Sequence, residues 1–190
     1  SPDERHWLGT DDLGRDVLAR LVHGARLTLL IALGVVLLST VLGVLLGAVA
    51  GWKGGVFDLL LSRVLEIAST FPTVFFLIVV VAALRGPSVV AVVIVLGLTR
   101  WPEAARLVRA EVLRIKNLDF VLAARALGAS EPRILARHLI PNALGPAIVS
   151  STFAVGSAVL VESALSFLGL GATPPAASWG ELLQQAHRNL

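Results

Sequence analysis

The sequence predicts an all-α protein whose helices cross a lipid bilayer several times. Its 190 residues have a mean hydropathy of +0.83, and 56% of them are hydrophobic. Only 15% are charged, against roughly 25% in a typical soluble domain. The apolar residues are gathered in runs, and 27–52, 67–84 and 139–161 carry no charge. A soluble helical bundle of this size would leave large apolar patches exposed, so we expect a polytopic membrane protein.

Four membrane spans are expected. A helix of about 20 residues crosses a bilayer core of about 30 Å, and shorter apolar runs reach that length when flanking polar residues lie at the interface. The expected spans are 27–51, 57–84, 88–108 and 141–170, with turns at 51–55 and at Gly86-Pro87. Pro72 lies inside the second span, where a proline kinks a helix, and it is a candidate gate or pathway residue.

Glycine spacing in the first span allows two interpretations. Gly43 and Gly47 are four residues apart and lie on one helix face. Such a pair of small residues lets two helix backbones approach closely. Glycine is also generally frequent in membrane helices, and the sequence leaves both interpretations open.

The chain is expected to have two parts. Residues 1–26 are polar with mixed charges and form an external segment, in which 13–26 predict an amphipathic helix at the membrane surface, capped by Asp11 or Asp12. Residues 27–190 form the transmembrane domain. The sequence contains no methionine and no apolar signal core near residue 1, so we interpret it as a piece of a longer protein.

Basic residues indicate the orientation. Residues 109–140 are too polar to span a membrane, and we place them in the cytoplasm. With four spans, the basic residues on the inner side are Lys53, Arg63, Arg100, Arg106, Arg109, Arg114, Lys116, Arg125, Arg133 and Arg137, and those on the outer side are Arg5, Arg15, Arg20, Arg26, Arg85 and Arg188. This excess on the inner side agrees with the positive-inside rule. The rule also accounts for the pI near 10.5 without a nucleic-acid partner.

Residues 117–140 predict a cytoplasmic helix–glycine–helix hairpin. Asp119 is the expected N-cap of the first helix, and Gly128 suits the left-handed position that ends it. Ser130 is the expected cap of a second short helix that stops before Pro141. Such a hairpin is either a connector lying on lipid or a docking helix gripped by a soluble partner.

The hairpin resembles the EAA loop of bacterial ABC importer permeases. That pattern reads Glu-Ala-Ala-x3-Gly, then nine residues, then Ile-x-Leu-Pro, and the matching residues here are Ala123, Ala124, Gly128 and Pro141. Leu122 stands in place of the glutamate, and His138 and Ile140 replace the first isoleucine and the leucine. The missing carboxylate affects one polar contact with the ATPase.

Five ordered blocks resemble the dipeptide/oligopeptide/nickel branch of that family. They are LGTDDLGRD at 8–16, ARALGAS at 124–130, RHLIPN at 137–142, LSFLGLG at 165–171 and PPxxxWG at 174–180. The resemblance implies a type I importer permease core, without the family's first and last spans, in the bacterial inner membrane. It implies import of di- and oligopeptides. Nickel or short oligosaccharides as the solute, and a channel or scaffold without ATP coupling, remain alternatives.

The resemblance also implies partners and site residues. The partners are a second homologous permease, two ATP-binding subunits and an extracytoplasmic solute-binding protein. The resemblance implies that ATP is hydrolysed by the partner subunits, and the sequence has no phosphate-loop motif. No catalytic residue and no cofactor are expected in this chain. The expected ATPase-coupling residues are Asp119, Leu122, Ala123, Ala124, Arg125, Gly128, Ala129, His138 and Pro141.

Glu162 is the charged residue of the expected fourth span. It follows Pro141 by about 21 residues, or about 31 Å of helix, which places it near the outer interface. An ionisable residue there is either a gate or pathway group or a structural interfacial group. The histidines and carboxylates lack metal-ligand spacing, and the absence of cysteine excludes thiolate ligands, so no metal site is expected.

Overall fold

The computed structural model describes residues 4, 6–70, 72–83, 88–172 and 176–188, without the side chain of Val74. These residues form helices and no strand, so the all-α class is confirmed. The helices are α1 (Val17–Lys53), α2 (Gly55–Thr70), α3 (Thr73–Ala83), α4 (Val89–Ile115), α5 (Asp119–Ala126), α6 (Glu131–Ile134), a π-helical segment (Leu135–Leu139), α7 (Ile140–Phe167) and α8 (Trp179–Arg188). The expected turn at Gly86-Pro87 and the two prolines of the 174–180 block lie outside the described residues.

Helix α1 joins two segments that the sequence analysis separates. It runs for 37 residues without a break, so the expected surface helix at 13–26 and the first span form one helix. Its N-cap is Asp16 rather than Asp11 or Asp12, because Oδ1 of Asp16 accepts the amide of Leu18 at 3.0 Å. The helix ends at Gly54, which has φ of 64° and is followed by a second glycine at 57°.

The expected second span is divided at Pro72 into α2 and α3. A proline has no amide hydrogen and cannot continue the helical ladder of the preceding turn. The hydroxyls of Ser69 and Thr70 donate to the carbonyls four residues earlier, at 2.7 and 2.9 Å. Helix α2 stops at Thr70, and these side-chain hydroxyls bond two carbonyls of its last turns. The sequence analysis instead predicts a kinked but continuous span.

The described residues contain two helices long and apolar enough to cross a membrane, Val17–Lys53 and Glu131–Phe167. Helices α2 and α3 would add a third if together they form one span. Helix α4, the expected span at 88–108, carries Arg100, Glu103 and Arg106 within its first five turns. The polytopic character is confirmed, while length and composition give two or three spans instead of the expected four.

The chain divides into two compact units. The first comprises Ser1–Gly34, Val74–Val95 and Val155–Leu190, and the second comprises Val35–Thr73 and Leu96–Ala154. Helices α1, α4 and α7 each contribute residues to both units.

In the second unit, glycines bring α1 against α4. A Cβ added to Gly43 would lie 2.5 Å from the Cβ of Ala104, and one added to Gly51 would lie 2.8 Å from the carbonyl oxygen of Arg109. Gly47 faces the backbone of Ala105 at similarly close range. The close-packing interpretation of Gly43 and Gly47 is therefore confirmed. Gly51, which the sequence analysis assigned to a turn, extends the same contact, and the order of contacts shows that α1 and α4 run parallel here.

Charged side chains fasten the ends of these helices. The guanidinium of Arg109 on α4 forms a two-point ion pair with Asp58 on α2, with 2.6 Å between Nη2 and Oδ2. Nζ of Lys116 donates to the carbonyl of Gly51 at 3.0 Å. The C-terminal ends of α1 and α4 therefore lie on the same side, as the predicted orientation requires.

In the first unit, a buried ion-pair network ties the N-terminal segment and α8 to α1. The guanidinium of Arg20 donates to Asp11 at 2.6 Å, to Gln185 at 2.5 Å and to Glu181 at 2.9 Å. Burial raises the pKa of Asp11, but hydrogen bonds from two backbone amides and from the guanidinium groups of Arg15 and Arg20 outweigh it, and the pKa falls to about 2. Residues 11–20 of the expected external polar segment thus form an ordered, bonded structure.

Candidate functional site

The first half of the hairpin is α5, which ends in a Schellman motif. Gly128 has φ of 81°, the left-handed conformation that the sequence predicts. Its amide donates to the carbonyl of Arg125 at 3.0 Å, and the amide of Ala129 donates to the carbonyl of Ala124 at 3.1 Å. The N-cap is Leu118 instead of Asp119, which is the first helical residue and makes no capping bond. The negative charge of Asp119 still lies in the first turn, where it stabilises a helix.

The second half of the hairpin is continuous with a long helix. Ser130 occupies the expected N-cap position but its hydroxyl makes no capping bond. The chain then passes through α6, the π-helical segment and Pro141 into α7, giving one 37-residue helix, Glu131–Phe167. The prediction that a short helix stops before Pro141 is wrong. The wider turn of the π segment makes room for the proline ring, and Nδ2 of Asn142 donates to the carbonyl of His138 at 2.6 Å.

Three buried side chains anchor the hairpin. Val121 of α5, Ile134 of α6 and Leu139 of the π segment are fully buried. They belong to a cluster, here called the anchor cluster, whose other buried members are Val44, Ala48, Val108, Val112, Ile115, Ala143 and Ala147. Burial of each of the three is worth about 1.5–3 kcal/mol. The hairpin is therefore packed firmly on residues of α1, α4 and α7.

Four large apolar side chains of the hairpin are exposed. Leu127 is 88% exposed and Leu122 is 47% exposed. Leu118 and Phe120 are also exposed, and these four residues are here called the apolar face. Grouped exposed apolar side chains are typical of surfaces that bind a partner or lipid.

Arg125 links the hairpin to the end of α1. Its guanidinium lies 5.1 Å from the ring centroid of Trp52, within the range of a cation–π interaction. Its Nε also donates to Glu131 at 3.2 Å, but both groups are exposed, so this ion pair contributes little. The sequence analysis missed Trp52, since only the folded chain brings it to Arg125.

The expected coupling residues differ in their surroundings. Asp119, Leu122, Ala123, Arg125, Gly128 and Pro141 are exposed, whereas Ala124, Ala129 and His138 are half-buried. Ala124 and Ala129 pack against the anchor cluster. All nine lie in the hairpin or at the start of α7, so the structure keeps them in one segment.

The two candidate gate residues belong to different units. Glu162 is fully buried, and its Oε1 accepts the hydroxyl of Ser166 at 2.7 Å. Its Oε2 has no hydrogen-bond partner among the described residues. Ser166 also accepts the amide of Ala172 at 3.2 Å, which folds the segment after α7 back onto that helix. Pro72 is exposed between α2 and α3.

Long apolar helices with a helical hairpin packed against them define a polytopic helical membrane protein. Comparison with known proteins is more specific. The chain belongs to the family described as binding-protein-dependent transport system inner membrane component, whose profile matches residues 43–187.

Individual relatives carry names from peptide transport. The chain is 42% identical to the dipeptide transport system permease protein DppC of Bacillus subtilis over 179 residues, which are 94% of the chain and 56% of that relative. It is 42% identical over 186 residues to a Brucella suis protein named as a candidate peptide permease, covering 98% of the chain and 61% of the relative. The dipeptide permease of Alkalihalophilus pseudofirmus is 40% identical over 187 residues. The chain thus spans about three fifths of the length of these relatives.

Proposed function

We propose that the chain is the permease part of an ATP-driven importer of dipeptides and short oligopeptides in a bacterial inner membrane. Its family is a transport component of that membrane, and three relatives at 40–42% identity are named for peptide or dipeptide transport. Residues 27–190 form the transmembrane domain and contribute to the solute path. Residues 117–140 form the cytoplasmic coupling hairpin, and residues 1–26 lie outside.

The observation that carries this proposal is the two-sided hairpin. The residues of its apolar face are exposed, while Val121, Ile134 and Leu139 are buried in the anchor cluster. A displacement of the hairpin is therefore transmitted to α1, α4 and α7 together, because packed interfaces shift between discrete arrangements and do not deform continuously. ATP-driven closure of a docked ATPase is converted in this way into altered access to the solute path.

The apolar character of the hairpin also gives Leu122 a role. Leu122 replaces the glutamate of the EAA pattern and extends the apolar face. We propose that docking here depends on buried apolar area more than on a charged contact. The partners are two ATP-binding subunits, a second homologous permease and an external solute-binding protein, and ATP hydrolysis occurs on the ATP-binding subunits.

The experiment is purification of the full-length protein in detergent with its co-expressed partners, followed by ATPase assays with the binding protein and di- or tripeptides. We expect two ATP-binding subunits to co-purify and peptides to stimulate hydrolysis. Leu127→Glu, which charges the apolar face, should prevent recovery of the ATP-binding subunits. Leu183→Glu is the control, because Leu183 is also an exposed leucine but lies on α8, outside the hairpin.

The alternatives give different results. Recovery of the protein without ATP-binding subunits contradicts the coupled importer and favours a channel or scaffold. Stimulation by nickel complexes or oligosaccharides in place of peptides contradicts the proposed solute and retains the mechanism. Equal recovery of ATP-binding subunits with Leu127→Glu and Leu183→Glu contradicts docking on the hairpin.

A further inference from the structure

Polar side chains from three helices meet in the second unit. They surround a small cavity of about 20 Å³ and are Ser39 and Thr40 of α1, Arg100 and Glu103 of α4, and Ser150 and Ser151 of α7. The hydroxyl of Ser150 donates to Oε1 of Glu103 at 3.3 Å. Glu103 is exposed and Arg100 is half-buried, so this polar cluster reaches the surface of the chain.

The polar cluster lies halfway along the apolar part of α1. The uncharged run 27–52 has its centre near Ser39 and Thr40. Gly97 of α4 packs against the side chain of Leu38. Because Gly43 packs against Ala104 further along, Arg100 and Glu103 lie level with the centre of that run.

This depth creates a physical requirement. The count of basic residues assigns Arg100 to the inner side, and the packing of α1 against α4 puts it level with the middle of the uncharged run 27–52. Ionisable side chains at such a depth are costly against lipid and almost always face a protein interior or a water-filled cavity. The surface formed by Arg100 and Glu103 therefore faces protein or water.

We infer that the polar cluster is part of the wall of the solute path and contacts the charged ends of a zwitterionic peptide. This inference rests on the proposed peptide-importer function. The guanidinium of Arg100 suits a carboxylate and the carboxylate of Glu103 suits an ammonium group. Residues at i and i+3 on one helix have Cβ atoms about 5–6 Å apart, which is comparable with the roughly 7 Å length of two extended residues.

The hydroxyls complete the chemistry of a peptide site. The hydroxyls of Ser150 and Ser151 donate to Glu103 and to a backbone carbonyl of α7, respectively, and their oxygens keep acceptor sites for the amide groups between the peptide termini. Thr40 supplies a hydroxyl donor and acceptors. The opposite charges of Arg100 and Glu103 balance one another, so a zwitterion meets no net repulsion. A metal cation would meet the repulsion of Arg100, and a neutral sugar would offer no opposite charge to either group.

Cysteine accessibility tests this placement directly, because the 190 residues contain no cysteine. Thr40→Cys and Ser150→Cys are introduced singly into the full-length transporter, after replacement of any cysteine outside these residues. The matched controls are Val41→Cys and Phe153→Cys, which lie at nearly the same depth and are exposed on apolar faces. Each variant is reconstituted with its partners and treated with a charged, water-soluble methanethiosulfonate reagent.

We expect the Thr40→Cys and Ser150→Cys variants to be labelled at least tenfold faster than the controls, and more slowly when saturating dipeptide and binding protein are present. Labelling of Ser150→Cys no faster than that of Phe153→Cys overturns the inference. If the wild-type transporter shows no peptide-stimulated ATPase activity, the proposed function fails. If peptides stimulate ATPase activity normally but cysteines in the polar cluster are not labelled, this inference is refuted and the proposed function is retained.

Variants in which one charged side chain is replaced by a neutral one provide a second measurement. Arg100→Gln and Glu103→Gln should each lower peptide uptake by tenfold or more, while the ATP-binding subunits are still recovered. The conservative variants Arg100→Lys and Glu103→Asp should retain more uptake, because they keep the charges that bind the peptide termini. Contact with the peptide is contradicted if all four variants take up as much peptide per folded protein as wild type. It is also contradicted if the conservative variants lose as much uptake as the Gln variants.

Discussion

Replacing Gly128 with alanine separates the backbone geometry of the hairpin from its packing. Gly128 has φ of 81°, and a Cβ added there would have no heavy atom within 4 Å. The added methyl group therefore meets no neighbour, and the cost comes only from holding an L-residue in the left-handed region. That cost is about 1–2 kcal/mol.

The expected result is faster local opening of the Schellman motif. A loss of about 1–2 kcal/mol increases the open population roughly 5- to 30-fold. In this variant, hydrogen exchange should accelerate by that factor at the backbone amides of positions 128 and 129, which donate to carbonyls of α5. Under the proposed function, peptide-stimulated ATPase activity should fall while the protein stays in the membrane. Gly128→Asn should lie between wild type and Gly128→Ala, since asparagine adopts left-handed backbone more readily.

Gly145→Ala is the matched control. A Cβ at Gly145 also has no heavy atom within 4 Å, but this residue is within the regular helix α7. We expect unchanged or slightly slower exchange, because alanine is the better helix former. Equal exchange in wild type and Gly128→Ala would refute the backbone argument. Faster exchange with undiminished coupling would refute the role of the hairpin geometry in transport.

Three further predictions concern other parts of the chain. In Gly43→Ala, the added Cβ would lie 2.5 Å from that of the facing alanine on α4. This variant should lower the free energy of unfolding in detergent by about 1–3 kcal/mol, whereas Gly156→Ala, with open space around it, should leave it unchanged. Asp11→Asn should lower the melting temperature by a constant amount above about pH 5. The difference should shrink as the pH falls to 2 and below, because the wild-type carboxylate, with its pKa of about 2, then becomes protonated; a difference independent of pH would contradict the ion-pair network. Trp52→Leu should remove a cation–π interaction worth about 0.5–1 kcal/mol and accelerate exchange in α5 about two- to fivefold, with Trp52→Phe closer to wild type; no change would show that Arg125 does not hold the hairpin through this ring.

Features set by local chemistry were predicted from the sequence. The left-handed end of α5 follows from Gly128, and the close approach of α1 and α4 follows from Gly43 and Gly47. The all-α class follows from long uncharged runs. In each case a single residue type or a fixed spacing determines the geometry.

Features set by neighbouring turns were predicted less well. Pro72 ends a helix, whereas Pro141 is accommodated within one. The sequence suggests the opposite in both places, because the outcome depends on the turn that precedes each proline. At Pro141 that turn is a π-helical segment, which no residue type in 135–139 predicts.

The candidate site shows a similar limit. Val121 and Leu122 are adjacent and both apolar, yet the first is fully buried in the anchor cluster and the second is exposed. The polar cluster around Arg100 and Glu103 was also missed as a group, since its members come from three helices distant in the chain. Only the packing of α1, α4 and α7 decides which side chains share a surface.

The most direct test of the central claim is site-specific photo-crosslinking from the apolar face of the hairpin. A photoreactive amino acid at Leu127, the most exposed position of that face, is compared with one at Leu45, an exposed leucine of α1. In membranes that contain the co-expressed partners, the account predicts a crosslinked product with an ATP-binding subunit from Leu127 and none from Leu45. Absence of that product from Leu127, or equal yields from the two positions, would contradict coupling through the hairpin.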